Sequence, residues 1–281
     1  MTRATARNVH TLGPAKKKMS RAKSGHAQRV EFVYSKLARI VGIEDTVFYR
    51  TALTAEPHLI LVAKTVQVEI CTESLEGAIA AFEGGAHRVE LCSNLSLDGL
   101  TPCIELLLAV KEAIPIPVIA MVRPQAGGFT PGNDGLKYIE DDLAAVLNAG
   151  ADGVVLGILT AKGRIDQEAV TYLVEKSNGA PVTFHKAFDL IPNQKEGLET
   201  LIRCGVERVL TAGGKESALA GAEQIAALVA QARDRITVIP GGGVRANHAR
   251  DLALQTGASC LHSGLDCRPT TTTVQQFVNC F

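Results

Sequence analysis

The sequence predicts an α/β protein, a (β/α)8 barrel of the TIM type. Three observations carry this. Eight short apolar, β-branched runs stand out between residues 65 and 265. Most of the gaps between them hold a helix-like segment. The repeats are spaced about 21 to 36 residues apart. Strand–helix alternation with right-handed crossovers builds a parallel sheet. Eight such units over about 200 residues match the count and size of a barrel. The alternative is a doubly wound open sheet, which would show a glycine-rich fingerprint after its first strand. "CTESLEG", residues 71–77, is no such fingerprint.

The predicted strands are "VQVEIC" (66–71), "RVELC" (88–92), "PVIAMV" (117–122), "GVVLGI" (153–158), "PVTFH" (181–185), "RVLT" (208–211), "ITVIP" (236–240) and "SCLHS" (259–263). "SLEGAIAAFEGG" follows the first, with Ser74 as N-cap and Gly84-Gly85 as stop. "TPCIELLLAVKEAI" follows the second, with Thr101 as cap and Pro102 at the first helical position. Five further helical segments continue the rhythm. The eighth helix is weak or truncated, since only "TVQQFVNC" is available for it.

Composition sets the outer bounds. A chain of 281 residues, 46% hydrophobic and 21% charged, can bury a sizeable core. Formal net charge is zero, which removes any global pull toward nucleic acid or an acidic membrane. The longest apolar run, "AIPIPVIAMV", is too short to span a bilayer and contains two prolines. Seven cysteines, without a C-x-x-C pair, fit free thiols in a reducing compartment better than a disulfide scaffold.

The first thirty residues hold eight Lys or Arg and no Asp or Glu. That is the composition of an organelle transit peptide or of a disordered basic tail. The expected organisation is a basic extension over 1–64 and a barrel over 65–281.

Barrel chemistry sits at the C-terminal strand ends and the loops after them. The unusual residues collect there. Glu69 and Cys71 end the first strand, Glu90 and Cys92 the second. Arg123 follows the third. His185 closes the fifth, with Lys186 and Asp189 beyond it. Thr211 ends the sixth, ahead of Gly213-Gly214, and His262 and Ser263 end the eighth. Strand side chains at i and i+2 share a face. An inward Cys71 therefore brings Glu69 with it, and Cys92 brings Glu90. A buried carboxylate needs a partner, and Arg123, Lys186, His185 and His262 are the candidates. As an acid–base set, Glu69 or Glu90 would be the base, with His185 or Arg123 stabilising charge. The alternative is a structural ion-pair network plugging the mouth.

Two more expectations follow. Gly241, Gly242 and Gly243 after the seventh strand, with His262 and Ser263 beside them, could receive a phosphate or carboxylate on backbone N–H groups. A simple tight turn is the plainer reading. Cys71 and Cys92 lie on neighbouring strands, about 4.8 Å apart in a sheet. Two thiolates suit Cu(I), while core packing or a disulfide are the alternatives.

These residues also resemble a known family. "VEICTESLEGAIAAFEGGAHRVELCSNLSLDGLTP", "VIAMVRPQAGGF", "GADGVVLGILTAKGRID", "PVTFHKAFD", "RVLTAGG" and "VIPGGGV" together resemble the CutC copper-homeostasis family, from about Gln67 to Ser263. The resemblance implies a TIM barrel, a cytoplasmic homo-oligomer, and copper as ligand. It assigns the copper ligands to Cys71 and Cys92. Some positions depart from the family pattern. Lys186 replaces an arginine, which keeps charge but loses bidentate recognition, and Ala212 replaces a serine.

Overall fold

The computed structural model describes residues 66–132, 134–265 and 268–281. The basic extension over 1–64 lies outside the described residues. Eight strands alternate with eight α-helices among those described. They run β1 (Gln67–Thr72), α1 (Leu75–Glu83), β2 (Arg88–Leu91), α2 (Ile104–Ala113), β3 (Val118–Met121), α3 (Gly135–Asn148), β4 (Gly153–Leu156) and α4 (Gln167–Lys176). The second half is β5 (Val182–Phe184), α5 (Gln194–Arg203), β6 (Arg208–Thr211), α6 (Ala222–Ala232), β7 (Thr237–Pro240), α7 (Ala246–Thr256), β8 (Cys260–Ser263) and α8 (Thr271–Val278). Short 3₁₀ turns cover Leu95–Leu97 and Lys186–Leu190. All eight predicted strands are present.

Every ladder in the sheet is parallel, in the order β7-β6-β5-β4-β3-β2-β1-β8. β7 and β8 lie side by side and bring the ring close to closure. The described residues thus form a (β/α)8 barrel. No helix among the described residues is long and apolar enough to cross a membrane.

Local chemistry sets the helix starts. The Ser74 hydroxyl accepts from Gly77 N at 3.0 Å, as expected. Asp166, Asn193 and Thr270 cap α4, α5 and α8 in the same way. The second helix differs from expectation. It begins at Ile104 behind Cys103, which makes no side-chain cap. Thr101 Oγ1 instead donates to Asp142 and accepts from Arg123 N at 2.9 Å. It joins the β2–α2 loop to the end of β3, a tertiary contact that outweighs the local cap.

Alternation along each strand splits the core into two layers. Val68, Ile70, Val89 and Leu91 face outward into the apolar layer beneath the helices. Cys71, Cys92, Ile119, Met121 and Val155 face inward on one wall, and Leu210, Ile239 and Cys260 on another. The short eighth helix seals the ring. Its Val274 and Phe277 are fully buried. A Cβ on Gly84 would stand 2.5 Å from Val274 Cβ, so the C-terminus of α1 must carry glycine for α8 to seat.

Candidate functional site

The interior site is built by register. β1 aligns Glu69 with Arg88 of β2 on one side and with His262 of β8 on the other, while Cys71 aligns with Glu90. Side chains facing the same interior from matched rungs must meet. Glu69 Oε1 lies 2.8 Å from His262 Nδ1, and Glu69 Oε2 lies 3.1 Å from Arg88 Nε. The second contact is an ion pair without hydrogen-bond alignment, since Arg88 Nε and Glu69 Oε2 make no hydrogen bond. Arg88 spends Nη2 on Cys260 Sγ at 3.1 Å. Arg208 reaches in from β6 and donates Nε to Thr183 Oγ1 at 3.0 Å.

The two glutamates are thereby driven apart electrostatically. Burial pushes both carboxyls up. At Glu69 the His262 hydrogen bond and the charges of His262, Arg88 and Arg208 more than reverse this, and its pKa falls below the usual range. At Glu90 burial dominates; the attraction of His262 is opposed by repulsion from Glu69, and its pKa rises. Burial works against charge on His262, but Glu90 and the Glu69 hydrogen bond raise its pKa. The interior therefore holds an ionised Glu69 between Arg88 and His262, and a Glu90 reluctant to ionise.

The two predicted metal cysteines do meet. Cys71 Sγ and Cys92 Sγ are 3.5 Å apart, and both side chains are buried. The Cys92 contact, burial and the neighbouring Glu90 carboxyl push the Cys71 thiol well up. Cys71 Sγ, a Glu90 carboxylate oxygen and a His262 ring nitrogen also lie within 4.8 Å of one another. Glu90 Oε2 is buried without a hydrogen-bond partner. Sulfur, oxygen and nitrogen donors so converged can hold a metal ion.

The remaining expected site residues are placed differently. Arg123 does not pair with either glutamate. Its Nη1 donates to the carbonyls of Leu97 (2.7 Å) and Gly99 (3.0 Å), and its Nη2 to that of Gly127 (2.8 Å). Its guanidinium also lies 5.0 Å from the Phe129 ring centroid. It ties two mouth loops together. His185 accepts from Ala187 N on Nδ1 at 3.1 Å and packs on Phe129. Burial, helped by Arg123, pushes its pKa down to about 3. At neutral pH it is an uncharged imidazole with its proton on Nε2, a hydrogen-bond donor and not a cation.

The expected anion loop is also partly recast. Gly241 N is spent on Thr211 O at 2.9 Å. Ser263 Oγ donates to Val244 O at 2.8 Å, bracing the loop from behind. His262 turns inward to Glu69. The N–H groups of Gly242, Gly243 and Val244 remain without a hydrogen bond among the described residues. Gly242 has φ +104°, and a Cβ there would stand 3.4 Å from the Lys186 ammonium nitrogen. The neighbouring β6 loop offers amides too, but they are taken. Ala212 N and Gly214 N each donate to the Asp189 carboxylate at about 2.9 Å.

Three interior residues were missed by sequence reasoning: Arg88, Arg208 and Cys260. The signal for Arg88 was available, since it stands two positions before Glu90 in "RVELC" and so shares its face. Cys260 carries the same signal, two positions before His262, and all three residues open their strands, at the end where barrels do not place chemistry.

This architecture defines a (β/α)8 barrel protein with a buried thiol–carboxylate–imidazole cluster. The chain belongs to the CutC family, whose model matches residues 66–266. A human protein named copper homeostasis protein cutC homolog is 42% identical over 195 residues, covering 69% of this chain and 71% of that one. A Xylella fastidiosa family protein CutC is 42% identical over 196 residues, covering 70% of this chain and 73% of its own length. The crystal structure of CutC from Streptococcus agalactiae superposes with a TM-score of 0.68 at 33% identity, covering 71% of this chain and 98% of that one. More distant barrels, including an aldolase at 15% identity with TM-score 0.58, share the fold alone.

Proposed function

We propose that this protein handles copper, binding Cu(I) through Cys71 and Cys92. The observation that supports this is the pair of buried sulfurs 3.5 Å apart. Cu(I) prefers sulfur and tolerates low coordination, so two facing thiols are sufficient ligands. The human relative is named for copper homeostasis. Cys71 is held as a thiol, so ion uptake releases its proton and affinity rises with pH. Titration of the reduced protein with Cu(I) against a competing chelator tests the reading. The expected result is tight binding in the parent and none in a folded Cys71→Ser/Cys92→Ser variant. Unchanged affinity in that variant would refute it. The family resemblance further suggests a cytoplasmic homo-oligomer, which sedimentation of the purified chain would check.

One observation favours a second reading, an enzyme acting on a phosphorylated small molecule. The unspent amides of Gly242, Gly243 and Val244 beneath Lys186 form a cradle suited to an anion. Here Glu69 or Glu90 would exchange protons, and neutral His185 would donate Nε2–H to developing negative charge. Inorganic phosphate should then shift the amide resonances of Gly242 and Gly243, and Lys186→Ala should weaken that binding several-fold. No response at millimolar phosphate would remove this reading.

A further inference from the structure

The dithiol pair leaves part of the mouth unexplained. Glu90 is 2% exposed, yet its Oε2 has no hydrogen-bond partner. Buried oxygens in native interiors nearly always find one, and the nearest charged group, His262 Nδ1 at 3.9 Å, is already bonded to Glu69, which leaves Oε2 free for an ion. What faces it is specific. Cys71 Sγ and a ring nitrogen of His262 lie within 4.8 Å of a Glu90 oxygen and of each other. Cys92 is outside this group. Its sulfur sits against Cys71 and the Thr72 carbonyl, 3.5 Å from each. Cys71 therefore borders two different donor sets.

We propose that Cys71, Glu90 and His262 form a second metal site, for a divalent ion of the Zn²⁺ type, that shares Cys71 with the Cu(I) pair. It rests on the metal-handling reading of the same mouth, but on different ligands. Three arguments assign the ion class. A mixed sulfur, nitrogen and oxygen set is the ordinary ligand set of Zn²⁺, whereas Cu(I) favours sulfur alone. A thiolate and a carboxylate together carry two negative charges, which a divalent ion neutralises and Cu(I) does not. Such compensation matters in a buried site, where unbalanced charge is costly. Three protein ligands also leave a coordination position open, the arrangement of zinc sites that take up an outside ligand. Glu69 and Arg88 hold the His262 ring against the wall, so the donors are already gathered. On binding, the Cys71 and Glu90 protons leave to solvent together with any proton on the His262 nitrogen that meets the ion, while the other ring nitrogen keeps its hydrogen bond to Glu69. Because Cys71 serves both sets, the two ions compete.

The test uses the reduced full-length chain with Co²⁺ as spectroscopic probe and Zn²⁺ as competitor. The expected result is one Co²⁺ per chain with a thiolate-to-metal charge-transfer band, displaced by Zn²⁺. Cys92→Ser should keep that band while losing Cu(I) binding. Glu90→Gln and His262→Gln should do the reverse, weakening Co²⁺ by more than about tenfold, since even residues behind the ligands are worth that much. If those two variants do not fold, Cys92→Ser against Cys71→Ser decides. A Co²⁺ affinity equal in the parent and in Cys71→Ser overturns the proposal, as does loss of the band in Cys92→Ser. Failure of Cu(I) binding with the Co²⁺ band intact would instead sink the copper reading and leave this one standing.

Discussion

Glu69 can stay charged inside the barrel because Arg88 and His262 flank it on the two neighbouring strands. His185 solves the opposite problem, remaining uncharged in a buried place beside the Arg123 cation. Its folded pKa of about 3 lies below the value near 6.5 it regains on unfolding. The unfolded chain therefore binds the extra proton first as pH falls. Stability from this residue is complete above pH 6.5 and declines as pH drops from there toward about 3. The slope is at most about 1.4 kcal/mol per pH unit. His185→Asn keeps an acceptor for Ala187 N–H without the titration. Its urea midpoint should fall less between pH 7 and pH 5 than the parent's. Equal falls would mean that burial of His185 does not drive acid sensitivity.

Among the elements, α8 shows most clearly how a short segment can close a fold. Only eight residues long, it is held by the Thr270 cap at its start, by Val274 against Gly84 at the end of α1, and by Phe277 buried in the core. Phe277 is fully buried, and truncating such a ring typically costs 3–5 kcal/mol, about that expected for Phe277→Ala. Chemical denaturation would read this directly. A loss under about 1 kcal/mol would mean that α8 is dispensable to the barrel. The loops divide by what their amides do. The β6 loop gives its amides to Asp189, and the β7 loop keeps those of Gly242, Gly243 and Val244 unspent. Both stretches are glycine-rich in sequence. Only the arrival of Asp189 from the preceding unit separates a filled nest from an open one.

For the molecule as a whole, the barrel from residue 66 onward contains its own core and all of its strands. We therefore propose that residues 65–281 fold without the basic extension. A chain cut to that range should melt cooperatively within a few degrees of the full-length protein. A broad or much lower transition would assign the extension a structural role. The interior cluster is also a whole-molecule property, for Glu69 and His262 are 193 positions apart and meet only because the sheet curls until β8 lies beside β1.

That distance marks the division between what could be read and what could not. The barrel, its eight strands, and the shared face of Glu69 with Cys71 and of Glu90 with Cys92 were legible along the chain. These follow from a period-two pattern and a strand–helix rhythm, both local and both written along the chain. The sequence also determined that Cys71 and Cys92 would be neighbours, because consecutive strands of such a fold pair. The partners were set by the fold in three dimensions. It took Arg88 and His262 for Glu69, gave Arg123 to loop carbonyls, filled the β6 amides with Asp189, and set Glu90 and His262 against Cys71. Those choices depend on the register of each ladder and on the closing of the ring, where a shift of one residue would turn every side chain to the other face. No local pattern encodes that shift, and so none announces which of several buried cations will meet a given carboxylate.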